Sequence, residues 1–310
     1  MQGILFGGLR SHAIPAIFVC ATTMAGTPSA SAQGRILPDI TVTATRSELT
    51  PFDVPASVSV VELDQARAQG GPLASMSEVL GGIPGLQAKE RQNQAQDIQI
   101  SIRGYGARSS FGLRGIRLYV DGIPATMPDG QGQVSHVDLA SAGAVEVLKG
   151  PFSALYGNSS GGVIQVFSEA GESPSKQSTI LSTGSDGLRR LGIKASGAQG
   201  NFGYSLSANR FLADGFRDHS ASQRTVDNAR LDWLIPNGTQ LTLLANTLDL
   251  KADDPLGLTR TQADTSPRSV TTSALQFNTR KLIQQRQVGL VAEQSLTSSD
   301  RLHLMVYGGV

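Results

Sequence analysis

The chain has 310 residues, 39% apolar and 16% charged, with 35 glycines and a formal net charge of +1. That is too apolar and too sparsely charged for disorder, and the length allows one or two domains. Residues 1–32 hold a single charge, Arg10, so the remainder balances 25 basic against 25 acidic groups and offers no basic face for nucleic acid.

Residues 1–32 read as a secretory signal peptide. Arg10 is the positive flank, residues 13–25 the apolar stretch, and Ala30-Ser31-Ala32 a small-residue cleavage site. The apolar stretch is shorter than the ~20 residues a spanning helix needs, and Pro15, Thr22 and Thr23 weaken it. The one cysteine, Cys20, falls inside this leader, and Val19 is bulky where lipidation wants a small residue. The exported part therefore has no thiol, disulfide or cysteine metal site.

Residues 33–50 form a linker. Within it, Asp39-Ile40-Thr41-Val42-Thr43-Ala44 favours extended backbone and stands apart from any other strand. Such a segment can add itself to the edge of a partner's sheet. Residues 54–61 then alternate loosely as a strand. Leu73, Met76, Val79 and Leu80 share one helical face, and Gly81, Gly82 and Pro84 stop that helix.

Residues 98–168 contain short apolar runs closed by turn residues: 98–102, 116–120, 144–148 and 163–167. Asp121-Gly122 is the strongest hairpin signal, because glycine supplies the positive φ of a tight turn. Pro151 can open a one-turn helix over 152–156, and Gly157 can end it. This predicts a small mixed domain over residues 51–170.

From residue 171 the pattern changes to recurring alternation. Leu191, Ile193 and Ala195 oppose Arg190, Gly192 and Lys194. Phe202, Tyr204, Leu206 and Ala208 oppose Gly203, Ser205, Ser207 and Asn209. Ala229, Leu231 and Trp233 oppose Asn228, Arg230 and Asp232. Val288, Leu290 and Ala292 follow, then Leu302, Leu304 and Val306, whereas Leu243-Leu244 breaks the phase of 239–250. Turns at 198–200, 236–238 and 297–299 are short, while the connections 213–223 and 251–284 are long. Short turns alternating with long loops suit a membrane barrel, and the alternation alone also suits a soluble sandwich. About seven strands are too few to close a plugged barrel, so the chain is expected to hold an incomplete one.

Enzyme motifs are poorly supported. Gly157-Asn158-Ser159-Ser160-Gly161 matches a serine-hydrolase elbow by letter, but a strand follows it where that chemistry needs a helix. Gly104-Tyr105-Gly106 completes no dinucleotide fingerprint. His136, His219 and His303 are scattered without ligand spacing, so neither metal nor cofactor is expected.

Ile102-Arg103-Gly104, residues 118–122 and the run VEVLKGPFSALYGNSSGG over 145–162 together resemble the plug domain of TonB-dependent outer-membrane receptors. The resemblance covers some seventy residues and extends back through Ser77-Glu78-Val79-Leu80 and Ile83-Pro84-Gly85-Leu86. It implies an α+β plug domain followed by antiparallel strands of an incomplete transmembrane β-barrel. Residues 39–44 then resemble the TonB box, offered to TonB and its inner-membrane energising complex. Arg103, Glu146 and Lys149 are implied ties between plug and barrel wall. The apical loops 105–114 and 123–133 are implied to face the solute, with Arg108, Phe111, Arg114, Met127 and Asp129 as contacts. The implied function is energised uptake of a scarce bulky solute across a Gram-negative outer membrane: a ferric siderophore, another chelate or a small redox cofactor. A receptor that binds or signals without transport is the alternative, and an exported hydrolase a remote one.

Overall fold

The computed structural model describes residues 55–68, 73, 75–109, 112–126, 130–297 and 300–310. The leader, the linker and the peptide 39–44 lie outside the described residues, as do Phe111, Met127 and Asp129.

The N-terminal part runs β1 (Ser57–Glu62), α1 (Leu63–Ala68), α2 (Met76–Leu80), β2 (Leu86–Lys89), β3 (Gln99–Ile102), β4 (Ile116–Val120), β5 (Ile123–Pro124), β6 (Ala142–Lys149), α3 (Ser153–Tyr156) and β7 (Gly162–Ser168). One sheet has the order β1-β6-β7-β4-β5, with β4 and β7 parallel, and β2-β3 is a separate hairpin. The expected strands and the short helix all form within three residues of their predicted limits. β2 and α1 were not anticipated, since Leu86-Gln87-Ala88-Lys89 offers only two apolar positions. At the β4-β5 turn, Asp121 has φ +49° and Gly122 φ +79°, the double positive φ of a tight hairpin.

The core follows from alternation. Ile100, Ile102, Ile116, Leu118, Val145, Val147 and Ile164 are fully buried, and α2 adds Met76, Val79 and Leu80. A capping box starts α2: Ser75 is its N-cap, and Glu78 accepts from the Ser75 backbone N–H at 3.0 Å.

The second part is one antiparallel sheet, or wall, of seven strands in sequence order: β8 (Lys176–Thr183), β9 (Arg189–Gln199), β10 (Phe202–Ala213), β11 (Ser222–Leu234), β12 (Gln240–Asp253), β13 (Arg280–Ser295) and β14 (Arg301–Gly309). Register puts Ala195, Leu206 and Ala229 in one cross-strand row and Lys194, Ser207 and Asn228 in the next. The apolar rows point away from the N-terminal domain and stay exposed, as at Ile193 and Val288. The polar rows face the domain.

β12 breaks the pattern for a physical reason. Leu244, Leu248 and Leu250 pack toward the domain while Leu241 and Leu243 occupy the other face, so the strand is apolar on both sides. The long connections are 214–221 and 254–279, the latter shorter than expected because β12 and β13 extend into it. It also contains α4 (Arg260–Thr265) and α5 (Thr272–Phe277), capped by Thr259 and Thr271. Among the described residues no helix is long and apolar enough to cross a membrane, which says nothing about strands.

Candidate functional site

The predicted residues fall in different places. Arg103 is exposed at a left-handed turn after β3, with its N–H donated to Gly85 O at 2.8 Å. Glu146 is buried on β6 between Val60 and Gln165 of the flanking strands. Lys149 points inward: its Nζ donates to Ser59 Oγ at 2.9 Å and Pro84 O at 3.3 Å, both inside the N-terminal domain. Burial, and then the nearby Arg103 cation, hold its ammonium below the usual lysine pKa. Ser159 is fully buried with its hydroxyl donated to Gly157 O, and β7 follows it, so the elbow motif is a turn.

The two predicted solute loops are brought together. Leu113 N donates to Gly132 O at 3.0 Å, and Arg117 Nη1 donates to Thr126 Oγ1 at 3.0 Å. Gln99 Nε2 ties down Ala107 O at 2.6 Å and Ser109 O at 3.2 Å. Arg108 and Arg114 are exposed. A Cβ on Gly112 would lie 3.9 Å from Asp97 Oδ2, and Asp97 pairs with Lys281 at the start of β13. The first loop is thus beside the end of the wall from which the long connections leave.

Sequence reasoning missed the seat of the domain on the wall. It is made by domain carboxylates meeting polar groups on the polar rows. Asp138 is buried; its Oδ2 accepts from Ser207 Oγ at 2.6 Å and its carboxylate from Asn209 Nδ2 at 3.1 Å. The guanidinium groups of Arg190 and Arg224 interact with it electrostatically. Glu169 pairs with Lys194 of β9. Asp121 accepts from Ser168 N at 2.7 Å and Ser168 Oγ at 2.6 Å, and lies 3.9 Å from Arg230 of β11. Burial pushes the Asp121 carboxyl above its usual range, opposed by Ser168 and Arg230. Asn246 of β12 donates to His136 O at 3.2 Å. His136 is buried, and burial lowers its imidazole pKa to about 4.

Apolar contact reinforces one side of the seat. Ile123 packs with Leu244, Val291 and Met305, and Ala95 with Val226, Leu248, Leu250 and Ala252. A Cβ on Gly289 would come within 2.7 Å of Ile123 Cδ1, so a larger residue there would push the Ile123 side chain aside. Above it, Asn93 Nδ2 donates to Asp254 Oδ1 at 2.9 Å. Arg217 donates to carbonyls of Pro255, Leu256 and Ser269, so the long connections form one linked cap. A cavity of about 380 Å³ lies between residues 91–96 and this cap.

These contacts can hold and release a domain. The family model that matches is the TonB-dependent Receptor Plug Domain, over residues 50–163. Among curated proteins, the chain is 28% identical over 176 residues to the vitamin B12 transporter BtuB of Vibrio vulnificus (strain CMCP6), covering 56% of this chain and 27% of that one. It is 29% identical over 178 residues to the hemin receptor of Yersinia enterocolitica, covering 57% and 23%. The chain thus spans about a quarter of the length of these relatives. Among solved structures, the ferric citrate transporter FecA in its unliganded form superposes with a TM-score of 0.68 at 20% identity, covering 84% of this chain and 40% of that one.

Proposed function

For a chain that carries the plug domain of the TonB-dependent receptors and the first strands of their β-barrel, we propose energised uptake of a scarce, bulky solute across an outer membrane. The observation that carries this reading is the seat: a domain with its own apolar core is held on the wall largely by polar groups. Such an interface can be broken and remade at modest cost. The apolar rows on the far face suit contact with lipid, and the linked cap and the loops carrying Arg108 and Arg114 suit capture of the solute from outside.

Residues 39–44 are the proposed handle for TonB and its inner-membrane complex. Relatives named for vitamin B12 and hemin point to a bulky chelate, and two exposed arginines favour an anionic one, since guanidinium holds carboxylates in bidentate fashion. Arg103, exposed beside the domain's edge, is proposed as a further tie to the wall. The test is Ile40→Pro, which removes a backbone donor and prevents extended pairing. Cells producing the full-length receptor with this change should still bind solute at the surface and should fail to accumulate it. Undiminished accumulation would refute coupling through this segment.

A further inference from the structure

The face of the wall turned away from the plug carries a second pattern. Strands β9 to β13 are each hydrogen-bonded on both sides, so their outward faces do not depend on where the sheet ends. Toward the long connections, the outward apolar residues stop at Leu191, Ala208, Ala229, Ala245 and Val288. This edge does not follow the register. Leu191 stands opposite Arg210, two residues above Ala208, and Ala208 stands opposite Asp227, two above Ala229. Ala229, Ala245 and Val288 are in register with one another. From β9 to β13 the edge therefore drops by about 14 Å along the strands over about 19 Å across them. That slope corresponds to strands tilted by about 35°, the tilt of a transmembrane barrel. The apolar edge is thus a level line around the wall, where hydrocarbon gives way to lipid headgroups.

The first outward residue above that line is Arg189 on β9, Arg210 on β10 and Arg286 on β13, with Asp227 on β11 and Thr247 on β12 between them. All three arginines are exposed, whereas the alternate positions Arg190 and Asn209 are buried on the plug side. Among the described residues, none of the three guanidinium groups makes an ion pair or a hydrogen bond. Asp227 is engaged instead by Thr247, whose hydroxyl donates to it at 3.0 Å. The outward row nearest the short turns is different. Gln199, Phe202, Trp233, Leu241 and Ala292 carry no charge, and the Phe202 and Trp233 rings pack with centroids 4.9 Å apart. Cations therefore mark the outer rim alone. A free guanidinium at the edge of hydrocarbon needs an anion, and its planar fork fits phosphate bidentately.

We propose that Arg189, Arg210 and Arg286 form a cationic rim that holds the phosphate groups of outer-leaflet lipid. The inference rests on the reading of the wall as part of a membrane barrel, and not on the solute or on coupling to TonB. Arg189 and Arg210 lie on neighbouring strands, one diagonal or about 8 Å apart along the backbone lattice, close enough to share one headgroup. Arg286 is about 16 Å from Arg210 and serves a second lipid.

The experiment titrates the full-length receptor in detergent with bisphosphorylated lipid A and with an uncharged galactosyl diacylglycerol, and counts bound lipid by native mass spectrometry. A cation facing lipid phosphate contributes about fivefold in affinity. Each single Arg→Gln variant at 189, 210 or 286 should lose about fivefold for lipid A and the triple variant about a hundredfold, with the uncharged lipid unaffected. The triple Arg→Lys variant should fall between, because it keeps charge and lacks the fork. Arg260→Gln, on an outer connection and paired with Asp264, should bind as the native receptor does. Should the triple Gln variant fail to fold, the three single variants decide. Equal lipid A affinity in native and variant receptors overturns the proposal. So does an equal loss for the uncharged lipid, which would make the arginines props of the wall. Displacement of lipid A by inorganic phosphate at equal concentration shows an anion site indifferent to lipid and overturns it too. A receptor dimer that the triple variant dissolves, with lipid affinity unchanged, assigns the rim to a second copy and overturns it likewise. Failure of the native receptor to insert into phosphatidylcholine vesicles removes the membrane-barrel premise, and with it the uptake reading; insertion without phosphate dependence sinks the rim alone.

Discussion

Inside the plug, Ile100, Ile102, Leu118, Val145 and Ile164 are fully buried against one another. Where the plug meets the wall, the buried groups include Asp138, His136, Ser207, Asn209 and Arg190. The interior is cohesive through area removed from water, roughly 25 cal/mol per Å², and its core residues all come from the plug itself. The seat depends on matching charges and hydrogen bonds, each of modest net worth but expensive to leave unmade. The difference teaches that plug folding and plug docking can be perturbed separately, and each prediction below attacks one without the other.

The largest effect is expected at Asp138. Alanine there removes the acceptor for Ser207 and Asn209 and the counter-charge facing Arg190 and Arg224. Breaking one side of a buried charged network costs about 3–5 kcal/mol. Asp138→Ala should lower the urea concentration at which the plug leaves the wall, while amide exchange in β6 and β7 remains slow. Collapse of that protection together with the seat would erase the distinction between interior and interface.

A smaller effect follows from pH. His136 is neutral in the seated state because burial lowers its pKa from 6.5 to about 4. Once unseated it titrates near 6.5. Above that value neither state binds the proton and the stability is intact. As pH falls from 6.5 to 4, only the unseated state takes the proton, and at about 1.4 kcal/mol per unit the seat loses about 3 kcal/mol. Carboxylates titrate in the same window, so the decisive quantity is a difference. The pH dependence of plug release should be about 3 kcal/mol shallower in His136→Gln than in the native chain. Parallel curves would mean that His136 is solvated in the seat.

Much of the interior was legible and little of the seat. The strands of the plug follow from local alternation and turn residues, and Asp121-Gly122 fixes its hairpin by backbone chemistry alone. The wall strands 189–234 likewise carry their two faces in their letters. Leu243-Leu244, which spoils the phase, marks where the wall is apolar on the plug side; the anomaly was itself a signal for a second partner. The helices within 254–279 were detectable, because Thr259 with Gln262 three positions on is a capping box. The seat was hidden because its partners lie far apart in the chain. Nothing local distinguishes Asp138 from a solvated loop aspartate until β10, some seventy residues later, supplies Ser207 and Asn209. Lys149 is another charge whose neighbours its own stretch does not reveal: register sets it opposite Ser57, and its Nζ reaches Ser59 Oγ and Pro84 O within the plug.

The smallest effect concerns the plug interior alone. Ser75 caps α2; its side chain accepts from Ser77 N at 3.3 Å and Glu78 returns a bond to the Ser75 backbone. Glu78 also accepts from Leu73 N at 2.8 Å, so the same carboxylate ties down the approach to the helix. Ser75→Ala leaves first-turn N–H groups unsatisfied and costs about 1 kcal/mol. That loss should appear as about fivefold faster amide exchange at Val79 and Leu80, since 1.4 kcal/mol is a factor of ten. Ser75→Asn should restore protection, because asparagine caps as well as serine. Aspartate is the wrong rescue here, since Glu90 already lies against the Ser75 hydroxyl and a second carboxylate would repel it. α2 contributes Met76, Val79 and Leu80 to the core, and the charge that its Glu78 presents to Arg190 of the wall is kept in Ser75→Ala, so release of the plug should occur near the native urea concentration. If Ser75→Ala shifted release as far as Asp138→Ala does, the helix would have to belong to the seat, and the division between a self-sufficient plug and a polar berth would fail.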